Sequence, residues 1–100
     1  SMRFAAQVAQ KAFESRGFDP ASLEALHLGM TVPQKSSFYG APWMAALLGA
    51  PGITGPQLNQ ACATSARVLL SAALEVESGG ARTVLALAAD RCSNGPHLYY

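Results

Sequence analysis

The change from a short extended segment to an almost wholly apolar helix is the strongest constraint in this sequence. Residues 57–61 have the pattern of a strand, and Val68 to Val76 carries apolar side chains on nearly every face. A helix that is apolar all round is normally buried. The segment therefore predicts a strand that ends at Ala61 and turns directly into a buried helix, which begins at or next to Cys62.

Cys62 lies at the tip of this predicted helix, and small residues follow it from Ala63 to Ala66. Unpaired backbone N–H groups and the helix dipole favour an anion at such a position, and the thiolate is the nucleophilic form of cysteine. Two interpretations stay open on these residues alone. Cys62 is either a nucleophile on a strand-to-helix elbow or a small buried side chain, as free cysteines commonly are.

Composition excludes several classes of function. Half of the residues are hydrophobic and 13 are charged, which is typical of a segment buried on several sides in a larger protein or an oligomer. A formal net charge of +1 gives no basis for nucleic acid or an anionic membrane as partner. Cys62 and Cys92 lack C-x-x-C spacing and a histidine cluster, so we expect no metal, no disulfide framework and a cytoplasmic location. No apolar run approaches the roughly 18 residues of a membrane span.

The rest of the pattern predicts alternating helices and strands. An amphipathic helix starts near Phe4 and is stopped by Gly17. Strands are predicted at 25–32 and at 83–89, the second covered on both faces, with a helix at about 41–48 between them. This alternation implies an α/β architecture with a parallel sheet and right-handed crossovers.

We expect residues 1–100 to form one partial domain without an internal boundary. Loops are predicted at 34–40 and from Asp90 onward, and a three-stranded parallel sheet is a poor stand-alone structure. Ser1 and Met2 have the form of a vector-derived remnant.

Four segments occur in an order that is more informative than any one of them. They are the strand ending in Gly29, the helix with Ala45-Ala46-Leu47-Leu48-Gly49, the elbow Asn59-Gln60-Ala61-Cys62-Ala63-Thr64-Ser65 and the closing TVLALAADRCSNGPHLYY. Together they resemble the N-terminal half of an acetyl-CoA acetyltransferase-type thiolase, in the thiolase superfamily. The resemblance implies a thiolase-like fold of parallel βαβ units, here an incomplete half that lacks the family's first strand from the middle of the sheet.

By this resemblance, Cys62 is the catalytic nucleophile that attacks an acyl-CoA thioester and carries the acyl group as an enzyme thioester. The backbone N–H of Cys62 would help to stabilise the oxyanion. The implied activity is Claisen condensation or thiolytic cleavage of a 3-ketoacyl-CoA, with a coenzyme A thioester as substrate and no tightly bound cofactor. The resemblance assigns no cofactor-binding residue in this chain.

The chain departs from the family at several positions. Ser65 stands where the family usually has glycine, and Trp43 stands near the place of a common arginine. The family's activating histidine and second cysteine belong to its C-terminal half, so the isolated chain is expected to be inactive or nearly so. His27 is predicted to be a satisfied strand-face residue, His97 a surface-loop residue and Cys92 an unreactive thiol.

Three functions stay open at this point. The first is the thiolase-type acyltransferase, with an acyl-CoA substrate and self-association into a homo-oligomer. The second is a non-catalytic thiolase-like interaction subunit that pairs with another polypeptide through an open sheet edge. The third is a ketoacyl-synthase-type condensing enzyme that uses an acyl-carrier protein, although the closing segment favours the thiolase branch.

Overall fold

The computed structural model of the protein describes residues 2–31 and 39–89. The predicted alternation is confirmed. Residues 34–38 of the loop predicted at 34–40, and the segment from Asp90 onward with Cys92 and His97, lie outside the described residues. The elements in chain order are α1 (Met2–Arg16), a 3₁₀ turn (Pro20–Ser22), β1 (Ala25–Gly29), α2 (Gly40–Leu47), β2 (Gln57–Leu58), a second 3₁₀ turn (Ala61–Ala63), α3 (Thr64–Glu77) and β3 (Val84–Ala88).

Helix α1 ends at the predicted glycine. Gly17 has a left-handed φ of 65°, a conformation that glycine adopts without a steric cost. The N–H groups of Gly17 and Phe18 donate to the carbonyl oxygens of Glu14 and Phe13, and the Phe13 and Phe18 rings pack 5.0 Å apart. These contacts satisfy carbonyl groups that the end of a helix otherwise leaves open.

The three strands form one parallel sheet in the order β2-β1-β3. β1 is hydrogen-bonded on both sides, and its Gly29 pairs with Leu58 of β2 and with Ala88 of β3. The predicted parallel sheet is confirmed. β1 pairs directly with both neighbours, so the three described strands leave no gap at the place of the family's absent first strand.

The side chains of β1 alternate between two layers, as successive strand residues must. All five residues of β1 are buried. Leu26 and Leu28 belong to an apolar core with α1 and α2, whereas His27 and Gly29 meet α3. The buried members of the apolar core are Met2, Ala6, Leu26, Leu28, Met30, Ala41, Met44, Ala45 and Leu48.

Helix α3 approaches β1 closely at Gly29. A Cβ atom at Gly29 would overlap a methyl group of Val68 and lie 2.8 Å from a methyl group of Thr64. Glycine is therefore required here by space rather than by its backbone dihedral angles. This contact brings the start of α3 against the carboxyl end of β1.

Only one face of α3 is buried in this chain. Thr64, Val68 and Ala72 are buried against the sheet, whereas Leu69 and Leu74 on the opposite face are 65% and 53% exposed. The prediction of a buried helix is correct for the sheet side and wrong for the outer side.

The strands are shorter or more exposed than predicted. β1 ends at Gly29 rather than continuing to residue 32, and β2 ends at Leu58 rather than at Ala61, where the 3₁₀ turn begins. β3 occupies the predicted place but lies at a sheet edge. Its residues are half-buried or exposed rather than covered on both faces.

Candidate functional site

Cys62 lies in the 3₁₀ turn Ala61–Ala63, directly before α3 begins at Thr64. Its side chain is exposed and its thiol is free, so the interpretation of Cys62 as a buried core side chain is wrong for this chain. The first N–H groups of a helical segment have no acceptor within it, and the Cys62 N–H occupies such a position. The predicted placement of Cys62 at the tip of a helix is confirmed.

A cavity of about 330 Å³ opens beside Cys62. It lies at the carboxyl ends of β1 and β3, the edge at which open parallel α/β sheets bind their ligands. Ser65 is exposed and contributes to its wall. The lining residues are small: Gly29, Thr31, Cys62, Thr64, Ser65, Ala88 and Ala89.

The residue before Cys62 has an unusual backbone conformation. Ala61 has a φ of 46°, which costs a non-glycine residue about 1–2 kcal/mol. Its N–H donates to Oδ1 of Asn59 at 3.1 Å. Its carbonyl oxygen accepts from Oγ1 of Thr64 at 2.7 Å and from Oγ1 of Thr31 at 3.3 Å. The backbone N–H and the carbonyl oxygen of Ala61 are therefore both held in place by side chains.

The same side chains tie the elbow to its neighbours. Oγ1 of Thr64 also accepts from the Gln60 N–H at 2.8 Å, and Nδ2 of Asn59 donates to the Thr31 carbonyl oxygen at 3.0 Å. Nε of Arg67 donates to Oε1 of Gln60 at 2.6 Å. The residues directly before Cys62 are consequently held by directional bonds from Thr31, which follows β1, and from the first turn of α3.

Sequence reasoning missed the roles of Asn59 and Thr64 in this network. Both residues stand in the elbow segment that drew attention to Cys62, and their spacing around Ala61 was the available signal. The third partner, Thr31, is 30 residues away from Ala61 in the chain. Only the tertiary structure brings that residue to the elbow.

His27 is buried between β1 and α3 and is 4% exposed. Its Nδ1 lies 2.7 Å from Oγ of Ser71, and its Nε2 lies 2.5 Å from Oε1 of Glu75. The prediction of a satisfied strand-face histidine is confirmed. Ser71 and Glu75 interrupt the apolar pattern of α3 four residues apart, on one face of the helix, and that spacing was the signal for these partners.

Trp43 lies on the other side of the sheet, in α2. It is partly buried against the apolar core, and the Arg3 guanidinium lies 5.6 Å from the centroid of its ring. This distance is within the range of a cation–π contact. The departure at Trp43 therefore belongs to the contact between α1 and α2, and the fold does not bring it together with Cys62.

Within residues 2–31 and 39–89, no three His, Cys, Asp or Glu side chains are grouped as a metal ion requires. In the same part of the chain, no helix is long and apolar enough to cross a membrane.

Solved structures of known proteins share this architecture. No protein-family model and no curated protein matches the sequence. The acetyl-CoA acetyltransferase of Bacillus anthracis superposes on 99% of the chain with a TM-score of 0.80 and 22% sequence identity. This chain has the thiolase fold. The tetronic acid condensing enzyme AbyA1, which has a thiolase-like structure, matches 86% of the chain with a TM-score of 0.74 and 26% identity.

The resemblance to the thiolase superfamily is thus confirmed for the fold. The chain spans 25% of the length of the acetyltransferase structure and 28% of that of the condensing enzyme. The thiolase fold accounts for the parallel sheet and for the helices that cover its two faces. The chain matches a part of each of these two structures.

Proposed function

We propose that this chain is part of a thiolase-type, coenzyme A-dependent acyltransferase and that Cys62 accepts the acyl group. One observation carries the proposal. Cys62 is an exposed thiol at the start of a helix, beside a cavity at the carboxyl edge of a thiolase-fold sheet. A cytoplasmic location would keep this thiol reduced.

In the proposed first step, the Cys62 thiolate attacks the carbonyl carbon of an acyl-CoA thioester. The bond between that carbon and the coenzyme A sulfur breaks, coenzyme A leaves as a thiolate that takes up a proton, and the acyl group stays on Sγ as a new thioester. The Cys62 N–H supports this step by donating to the oxyanion formed on the carbonyl oxygen. The second step is Claisen condensation with another thioester; the reverse direction is thiolytic cleavage of a 3-ketoacyl-CoA.

The general base of this reaction is proposed to come from outside the described residues. His27 is committed to Ser71 and Glu75, and Ser71 lies about two turns beyond the start of α3. A base that activates a thiol must reach it directly or through one water molecule. We therefore assign the base, and the second cysteine that the resemblance implies, to further polypeptide.

Two other functions are kept as alternatives. A condensing enzyme that takes its acyl group from a carrier protein is favoured by the 26% identity to AbyA1, which is itself a condensing enzyme. A non-catalytic interaction subunit is favoured by the edge position of β3, since an unpaired strand edge is a template for another chain.

Intact-mass spectrometry tests the proposal. The chain is incubated with acetyl-CoA, and separately with an acetylated acyl-carrier protein, before brief exposure to a mild alkylating reagent. Cys92→Ser leaves Cys62 as the single thiol, and Cys62→Ser is the matched control that leaves only Cys92.

Because the base is assigned to further polypeptide, we expect rapid alkylation confined to the variant that retains Cys62, with acetylation slow or absent. Acetylation by the carrier protein alone would favour the condensing enzyme. Alkylation of Cys62 no faster than that of Cys92, with no acetylation from either donor, would contradict the proposal and favour the interaction subunit.

A further inference from the structure

The contact between β1 and α3 has a polar part at His27 and an apolar part at Gly29. His27 is buried and meets Ser71 and Glu75, whereas Gly29 lies against a methyl group of Thr64. His27 and Gly29 are two positions apart and therefore share one face of the strand. The strand and the helix run in opposite directions and touch at two successive points along their length.

The hydrogen bonds of His27 hold in either charge state of its ring. An ionised carboxylate can only accept a hydrogen bond, so Nε2 of His27 carries a proton and donates it to Glu75. Nδ1 accepts from the Ser71 hydroxyl when the ring is neutral and donates to it when the ring is charged, because a hydroxyl can do both. Both ring nitrogens thus have a partner, whichever charge the ring carries.

These bonds select one position of α3 along β1. Apolar contacts are non-directional, so by themselves they would allow the helix to shift by one turn, about 5.4 Å. A shift of this size toward the C-terminal end of α3 would bring Val68 and Ala72, both buried on its sheet side, to the imidazole in place of Ser71 and Glu75. Both ring nitrogens would then be buried without a partner, which is costly.

The position of α3 also sets the position of the elbow. Thr64, whose methyl group meets Gly29, donates from Oγ1 to the carbonyl oxygen of Ala61, directly before Cys62. Thr31, which follows β1, donates to the same oxygen. A shifted α3 would carry Ala61 with it and break the bond from Thr31.

We propose that His27 is a positioning residue for Cys62. Through Ser71 and Glu75 it fixes α3 on β1, and α3 in turn places Cys62 beside the cavity at the carboxyl ends of β1 and β3. This inference deepens the proposed function, because its importance for catalysis rests on the proposed role of Cys62 in acyl transfer. The placement itself can be measured without any acyl donor.

NMR spectroscopy of the full chain carrying His27→Leu tests the proposal, because this variant separates position from stability. It removes the buried polar group together with its need for partners, so the fold is retained while the bonds that select the position of α3 are lost. In the wild type we expect a nuclear Overhauser effect between Gly29 and the Val68 methyl group that lies against it. His27→Leu should lose this signal and shift the backbone N–H resonance of Cys62.

Two matched variants serve as controls. Glu75→Gln keeps an oxygen that accepts from Nε2 of His27, and it should retain both wild-type signals. Leu48→Ala truncates a side chain buried in the apolar core on the other side of the sheet. It should lower the free energy of unfolding, measured with urea, and leave both signals unchanged.

Two outcomes would overturn the proposal. Wild-type signals in His27→Leu would mean that His27 only stabilises the contact between β1 and α3. The same loss of signals in Leu48→Ala would mean that any destabilisation displaces the elbow. Neither signal depends on the reactivity of Cys62, so failure of the proposed function, seen as alkylation of Cys62 no faster than that of Cys92, is distinguishable from failure of this inference.

Discussion

The two sides of β1 meet their helices through different kinds of contact. On one side, Leu26 and Leu28 are fully buried among apolar side chains of α1 and α2. On the other side, His27 is hydrogen-bonded to two residues of α3, and Gly29 allows α3 to approach the strand. One strand of five residues thus serves two layers with unlike chemistry.

The difference shows how stability and positioning are divided in this fold. Burial of apolar surface is non-directional and roughly proportional to area, so the side with α1 and α2 stabilises the domain without placing any one atom. Hydrogen bonds depend on distance and angle, so the polar contacts on the other side fix the position of α3 relative to β1. Cys62 lies directly before α3, on the side with directional contacts.

The largest loss of stability is expected from a substitution on the side of the sheet that packs against α1 and α2. Leu28→Ala should lower the free energy of unfolding by about 3–5 kcal/mol, because it removes a fully buried side chain and leaves a cavity. Val68→Ala, the matched truncation at a buried position of α3, removes fewer atoms and should cost less. Urea unfolding of both variants provides the measurement. A loss at Val68 equal to that at Leu28 would contradict the proposed division between the two sides.

A smaller loss of stability is expected when the hydrogen bond between His27 and Glu75 is broken. Its size should depend on which of the two residues is replaced. Glu75→Ala leaves Nε2 of the buried His27 without its carboxylate, at a cost of about 1–2 kcal/mol. His27→Leu should cost less, because it removes the buried polar group itself and the partly exposed Glu75 can be hydrated. Chemical denaturation of the two variants at neutral pH shows which of them loses more free energy of unfolding. If His27→Leu is the more damaging change, the imidazole contributes more than satisfaction of its own polar atoms.

The smallest change in stability is expected from a substitution at the elbow. Ala61→Gly should raise the free energy of unfolding by about 1 kcal/mol, because glycine adopts a left-handed φ without the steric cost that alanine bears. Ala63→Gly is the control, since Ala63 has a φ of -95° and gains nothing from glycine; it should be destabilising. Thermal unfolding monitored by circular dichroism distinguishes the two. Equal responses would mean that Ala61 bears no strain that glycine relieves.

Part of the candidate site could be predicted because its signals are local. The glycine after α1, the small residues after Cys62 and the apolar run of β3 each lie within one short segment. The partners of the elbow could not be predicted in the same way. Thr31 reaches Ala61 from another element, and alanine at position 61 carries no sign of a left-handed backbone.

The exposure of the outer face of α3 could not be predicted from the sequence either. Its apolar residues predicted burial, but burial depends on what lies against a surface, and within the described residues that side faces solvent. By itself, the sequence determined the alternation of helices and strands, the parallel sheet and the place of Cys62 before a helix, because these follow from periodicity and from residues that start and stop elements. Only the tertiary structure decided the strand order, the hydrogen bonds around Ala61 and which face of α3 is covered, because these depend on contacts between residues far apart in the chain.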